Sequence, residues 1–395
     1  MDTEETDSTV LGSTISEWLA EEALNDSEPA ALYDGLCRRL RGLGLPILRG
    51  QVAFRILHPL YDASTVTWMA DTGSVVGLFR PDAPGQGRFM RSPYGHVLTH
   101  RLPVLRRRLT GETALLDFDE LDEFRALGGT DYVLFLVRFD RAGSRGMMAS
   151  WLADRASGFT DGEIVQLRRI TRELAISMKS RIERSVAHNV AHAYLGERAG
   201  EAVLAGQIRR GDGEKITAAL WYSDLRQSTA LADRLSAEDF LDLLGRYFEM
   251  TASAVLAGGG EVVSLIGDAV LGLFRVEDSA GEACRRALAA AHEARRRLAA
   301  AAEPATNLPL DFGIALHLGQ VIHGNVGVPE RLQFTVVGAA VNEIVRVQDL
   351  TKQLGWPLLA TAPFAANVAG PWRPVGEHVL RGLDTPMPVL TMAQP

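Results

Sequence analysis

The segment Glu261-Val262-Val263-Ser264-Leu265-Ile266-Gly267-Asp268-Ala269-Val270-Leu271-Gly272-Leu273-Phe274 constrains the fold of this chain more than any other. Two mostly apolar runs meet at a Gly-Asp pair, the pattern of two strands joined by a tight hairpin turn. Asp268 therefore stands at a strand end. Asp224 closes a second strand-like run, Ile216-Thr217-Ala218-Ala219-Leu220-Trp221-Tyr222-Ser223-Asp224. Strand ends hold side chains rigidly at the rim of a sheet. Two hard oxygen ligands there suit Mg²⁺ or Mn²⁺ set against a phosphate-bearing molecule. Either aspartate alone reads as a turn former or helix N-cap.

A third segment shifts the balance. In Gln333-Phe334-Thr335-Val336-Val337-Gly338-Ala339-Ala340-Val341-Asn342-Glu343-Ile344-Val345-Arg346, Asn342 and Arg346 are spaced to share one helix face. An Asn/Arg pair so placed can hold a sugar oxygen and a phosphate oxygen together.

With these segments in view, the chain resembles the class III nucleotidyl cyclases, the adenylate and guanylate cyclases. The matching stretches are Ser223-Asp224-Leu225-Arg226, Ile266-Gly267-Asp268-Ala269-Val270-Leu271, Gly313-Ile314-Ala315-Leu316-His317-Leu318-Gly319 with Gly324-Asn325-Val326-Gly327, Thr335 to Asn342, and Leu380-Arg381-Gly382-Leu383. They occur in the family's order, from about Ile208 onward. One such piece is weak, but five in register are specific.

The resemblance implies attack of a nucleoside triphosphate's 3′-hydroxyl on its own α-phosphorus, with pyrophosphate expelled. It implies two divalent cations, Mg²⁺ or Mn²⁺, on Asp224 and Asp268, with the Leu225 carbonyl completing the site. Asn342 matches the ribose-orienting residue. Arg346 matches the arginine that stabilises the pentacoordinate phosphorus. Ser264 and Thr335 match the base-reading positions, and Arg381 the terminal-phosphate position. Gln227, Ser228 and Thr229 match the phosphate-contacting turn. Arg226 is expected to be structural. Metal and transition-state groups come from facing partners in this family, so a chain carrying both implies a head-to-tail homodimer with two sites.

Two positions depart from the family pattern. Ser264 replaces the lysine of adenylate cyclases without installing the glutamate of guanylate cyclases, and Thr335 does not by itself select a purine. ATP is favoured, with a guanylate or low-selectivity cyclase as the alternative. A catalytically weak, nucleotide-binding pseudo-cyclase is a further alternative, opposed by the joint presence of Asp224, Asp268, Asn342 and Arg346. Gln227-Ser228 stands where Gly-Phe is common, and Gln tolerates fewer backbone conformations than Gly. The Gly-Gly-Asp/Glu-Glu-Phe turn of diguanylate cyclases does not occur at this hairpin.

Composition bounds the rest. The 395 residues suggest two or three domains. The net charge of −8 argues against nucleic acid as a general partner. Cys37 and Cys284 have no metal-ligand spacing and read as thiols in a reducing compartment. No apolar run approaches the ~20 residues of a membrane span, and no signal peptide is apparent, so a cytoplasmic location is expected.

The expected fold class is α+β throughout. Residues 1–46 are an acidic and helical segment. Residues 47–178 resemble a GAF-type sensor, an antiparallel sheet with helices that leaves room for an unidentified small ligand. Its strands are expected at Val52–Leu57, Ser64–Met69, Thr113–Leu116, Asp131–Phe139 and Met147–Trp151. A Thr160/Glu163 capping box opens a nearly continuous helix to about Leu204. Its apolar stripe, Ile164, Leu167, Ile170, Leu174 and Met178, serves either a two-helix connector over 179–211 or packing on the sensor's own sheet. His188 and His192, four apart on that helix, read as solvated. Residues 212–395 alternate strand and helix, including a strand pair Leu310–Leu318 and Val321–Asn325. That order suits a ferredoxin-like sheet with helices on one face.

Overall fold

The computed structural model describes residues 14–25, 27–80, 86–140, 145–301, 310–379 and 386–392. The chain divides into two compact units, Met1–Ala193 and Tyr194–Pro395.

In the first unit, helix α1 (14–24) and α2 (Pro29–Gly42) precede strands β1 (Ile47–His58), β2 (Tyr61–Met69) and β3 (Gly73–Phe79). Then come α3 (Gln86–Met90), α4 (Pro93–His100), β4 (Val104–Arg108), α5 (Asp119–Ala126), β5 (Asp131–Arg138), β6 (Gly146–Ala153) and α6 (Asp161–Leu195). The six strands form one antiparallel sheet in the order β3-β2-β1-β6-β5-β4. It is the antiparallel sheet with helices expected of a GAF-like unit. Leu167, Ile170, Leu174 and Met178 of α6 are buried with Tyr33, Leu36, Val52 and Trp151. The apolar stripe thus packs on the unit's own sheet along the first half of α6. The capping box forms: the Glu163 N–H donates to Thr160 Oγ1 at 3.2 Å, and the Thr160 N–H donates to Glu163 Oε2 at 2.7 Å.

Two expectations for this unit need correction. Thr113–Leu116 is not a strand; it is loop, with the Leu115 N–H donating to the Arg108 carbonyl. The strand there is β4, whose three arginines hide its β character. Arg106 and Arg108 neutralise the fully buried Asp131, and Arg107 pairs with Asp117. Also, α6 does not run on to Leu204. It stops at Leu195, and Gly196, at φ 83°, opens a separate helix α7 (Glu197–Leu204).

The second unit continues with β7 (Gly213–Leu225), α8 (Ser228–Arg234), α9 (Ala237–Ala257), β8 (Glu261–Ile266), β9 (Ala269–Arg275) and α10 (Ala280–Ala300). It ends with β10 (Phe312–Val328), β11 (Arg331–Val337), α11 (Ala339–Leu354), β12 (Leu358–Thr361), α12 (Ala362–Ala365), β13 (Trp372–His378) and β14 (Met387–Met392). The strand order is β13-β14-β12-β10-β7-β9-β8, with β11 paired to the far half of β10. The expected β8–β9 hairpin forms, with Gly267 at φ 61° in its turn.

Helices cover both faces of this sheet, not one. Trp221, Val270 and Phe274 pack with α9 and α10, whereas Leu220, Tyr222 and Leu271 pack with α11. The expected strand pair around Gly319 is one seventeen-residue strand, β10. Gly319 makes no turn; it pairs with Ala218, and a Cβ there would stand 2.5 Å from the Ala340 Cβ. Its missing side chain lets α11 lie close to the sheet.

His323 on β10 is buried, with Nδ1 facing the Arg275 guanidinium at 3.3 Å. Burial, and secondarily the Arg275 charge, lowers its pKa to about 4. The unfolded chain therefore binds the proton more readily below an ordinary histidine pKa of about 6.5. Stability is expected to fall as pH drops from about 6.5 towards 4. Urea midpoints measured across that range should fall less steeply for His323→Gln; an unchanged slope would assign the acid sensitivity to other groups.

Candidate active site

Asp224 lies in the last turn of the ladder at the end of β7, between Ala269 of β9 and Gly313 of β10. Gly313 is needed there for close approach, because a Cβ would meet Thr351 Oγ1 of α11 at 2.2 Å. Gln348 Nε2 donates to the Gly313 carbonyl at 3.1 Å. The end of α11 is thereby drawn down onto β7, and Lys352 Nζ donates to Asp224 Oδ2 at 2.6 Å. Asp268 follows Gly267 in the hairpin turn, and its carbonyl accepts the Leu225 N–H at 3.2 Å. The structure thus brings Asp224, Leu225 and Asp268 together at one sheet edge.

Two carboxylates and one ammonium, that of Lys352, meet at this edge. Asp224 is half-buried, and its Oδ1 is buried with no hydrogen-bond partner. Burial raises its pKa, and the Asp268 carboxylate adds to the rise, while Lys352 opposes it. An orphaned carboxylate oxygen beside a second carboxylate fits a hard divalent ion. Behind it, Ser223 Oγ and Tyr247 Oη are 2.6 Å apart and buried, which fixes the strand end.

Asn342 and Arg346 occupy the first two turns of α11, Asn342 exposed and Arg346 half-buried. His317 holds this end of the helix, with Nε2 at 3.2 Å from Glu343 Oε2 and Nδ1 at 2.9 Å from Thr361 Oγ1. Lys352, which reaches Asp224, lies ten residues beyond Asn342, about 15 Å along the axis at 1.5 Å per residue. Among the described residues, no hydrogen bond or ion pair joins Asn342 or Arg346 to either aspartate; the residue of α11 that touches Asp224 is Lys352.

Ser264 on β8 and Thr335 on β11 are both half-buried. Gln333, two residues before Thr335, donates from Nε2 to Ser264 Oγ at 3.4 Å. Gln227 precedes α8 in the left-handed region, at φ 58° and ψ 24°. Ser228 and Thr229 begin that helix. Arg226 is bound by Asp311 at 3.3 Å and by the Trp356 carbonyl at 3.0 Å. That is the structural role expected of it. Arg381 lies outside the described residues.

Left-handed backbone at a non-glycine residue costs about 1–2 kcal/mol. Gln227→Gly should relieve this strain and raise stability by about 1 kcal/mol in denaturant titration. A loss of stability would show that the Gln227 side chain makes a contact outweighing the strain.

Sequence reasoning did not single out Lys352, Tyr247, His317 or Gln333. Lys352 and Asp224 are separated by 128 positions, and no local pattern announces such a pair.

No protein-family model matches the chain. It is 31% identical over 185 residues to "Adenylate cyclase 1" of Rhizobium meliloti, covering 45% of this chain and 27% of that protein. This chain is homologous to an adenylate cyclase. It is also 30% identical over 256 residues to an uncharacterized protein of Mycobacterium tuberculosis, covering 64% of this chain and 46% of that one. The chain thus spans about a quarter to a half of the length of these curated relatives. Among solved structures, a bacterial light-regulated adenylyl cyclase aligns over 88% of this chain and 94% of its own, at 16% identity and a TM-score of 0.49. The adenylyl cyclase CyaB from P. aeruginosa aligns over 45% of this chain and 94% of its own, at 20% identity and a TM-score of 0.41. The stretches that resemble the nucleotidyl cyclases all fall in the second unit, where Asp224 and Asp268 share the sheet edge. Among the described residues, no helix is long and apolar enough to cross a membrane.

Proposed function

We propose that this protein converts ATP to 3′,5′-cyclic AMP and pyrophosphate. The observation that carries this reading is the pairing of Asp224, with its orphaned buried oxygen, and Asp268 at one strand-end edge. In the reaction the ribose 3′-oxygen forms a bond to the α-phosphorus and loses its proton. The bond from that phosphorus to the bridging oxygen breaks, and pyrophosphate leaves with the electron pair. Two Mg²⁺ or Mn²⁺ ions held by Asp224, Asp268 and the Leu225 carbonyl would acidify the hydroxyl and neutralise the triphosphate.

Asn342 orients the ribose, and Arg346 stabilises charge on the phosphoryl oxygens. Ser264 and Thr335 face the base, while Gln227, Ser228, Thr229 and Arg381 serve the phosphates. Because about 15 Å of helix separates Asn342 from the residue touching Asp224, a complete site is built from two chains, as a head-to-tail homodimer. The N-terminal GAF-like region, residues 47–178, regulates that dimer through the connecting segment over 179–211, which holds the end of α6 and all of α7, in response to an unidentified small ligand.

Incubating the purified full-length protein with ATP and with GTP, each with Mg²⁺ and with Mn²⁺, tests the reading. Cyclic AMP in excess supports it. A kcat/KM clearly favouring GTP would establish the guanylate cyclase alternative, which Ser264 leaves open. Nucleotide binding without any cyclic product would identify a pseudo-cyclase.

A further inference from the structure

We infer that Lys352 is a built-in rival of the divalent cations at Asp224 and sets how tightly the second of them binds. This inference rests on the cyclase reading of the two aspartates and names a regulator of that same site. Lys352 Nζ donates to Asp224 Oδ2 at 2.6 Å, while Asp224 Oδ1 is buried without a hydrogen-bond partner. One carboxylate oxygen is thus open to an ion, and the other already holds a cation. The backbone beneath Lys352 is fixed. Gln348 Nε2 donates to the Gly313 carbonyl at 3.1 Å, the buried Thr351 Oγ1 donates to the Gln348 carbonyl at 2.7 Å, and Arg226 donates to the Thr351 carbonyl at 3.4 Å. The Lys352 side chain is freer. It is 42% exposed, on a flexible stem that can swing into solvent without moving α11.

Charge decides that this contact opposes ion binding. Asp349 of α11 adds its negative charge to the two carboxylates: burial first, then Asp224, Asp268 and Asp349, raise the pKa of the adjacent Tyr222. The edge therefore attracts cations even with the Lys352 ammonium in place. An ion on Oδ2 would stand within about 5 Å of Nζ, given Mg²⁺–oxygen distances of about 2.0–2.1 Å. Two unit charges of like sign at about 4 Å repel in water by an amount worth about fivefold in an equilibrium constant, and a divalent ion doubles that energy. The benefit of holding the carboxylate still is smaller, because the ion pair is partly exposed. A first ion is therefore received by Oδ1 and the Asp268 carboxylate, and a second must expel the ammonium from Oδ2. Lys352 is a positioning residue, because it acts through Asp224.

The test counts Mn²⁺ bound by the full-length protein without nucleotide, from the electron paramagnetic resonance signal of the free ion. Wild type is compared with Lys352→Gln, Lys352→Met and Lys352→Arg, each checked for native melting. Asp224→Asn marks any binding elsewhere on the chain. The two neutral variants should lower the dissociation constant of the second Mn²⁺ by about tenfold. Lys352→Arg keeps the charge and should hold that constant near the wild-type value. Cyclase assays on the same samples should reach half-maximal rate at a correspondingly lower Mn²⁺ concentration in the neutral variants. A constant unchanged within twofold, or raised, in Lys352→Gln and Lys352→Met overturns the inference, as does failure of every chain to bind Mn²⁺. If the wild type forms no cyclic nucleotide, the cyclase reading fails, and the Mn²⁺ constants alone then decide the role of Lys352.

Discussion

Asp224→Ala and Asp268→Ala are each expected to lower turnover by about 10³-fold or more, with the fold retained. The two carboxylates supply hard oxygens to cations that neutralise the triphosphate, and losing either removes several kcal/mol of transition-state stabilisation. The fold should survive because both residues lie at a strand end, where they fill no core volume; the apolar core of this unit is filled by residues such as Trp221, Leu225 and Val270. Asp224→Ala also frees Lys352 from its 2.6 Å contact, an exposed ion pair worth at most about 1 kcal/mol. Cyclase rates with Mn²⁺ and far-ultraviolet circular dichroism on the same samples measure both halves of the expectation. Wild-type-like rates in either variant would remove the two-metal assignment.

The second large effect concerns the composite site. Asp224→Ala and Arg346→Ala homodimers should each be nearly inactive. A mixed dimer places both lesions in one site and leaves the other intact, so the mixture should recover activity by orders of magnitude over either parent. Differently tagged chains, co-expressed and purified through both tags, provide the heterodimer. Activity no higher than that of the parents would show that each site is built within one chain. In that case α11 would have to rearrange, because in this structure its Lys352 end, not its Asn342 end, meets Asp224.

Much of the second unit is legible from local pattern. The apolar runs on either side of Gly267-Asp268 become β8 and β9, with the turn where expected. Ser236 caps α9 by accepting the Asp239 N–H, as an N-cap serine should. These features depend on residues within a few positions of one another. The misreadings have the opposite character. Gly319 looks like a strand break, but its role is a close approach to Ala340, twenty-one positions away. The arginines of β4 look unlike a strand because their charge is balanced by Asp131 and Asp117, which sequence order does not place beside them.

The sequence by itself determined the α+β class, the hairpin, the caps and the identity of the charged residues at strand and helix ends. Periodicity and capping act over one or two turns, so they are written in neighbouring letters. Only the tertiary structure decided that helices cover both faces of the sheet, that β10 runs unbroken, and that Lys352 meets Asp224 while Gln333 meets Ser264. Those outcomes follow from which apolar faces bury together, and that choice is made by the whole chain at once.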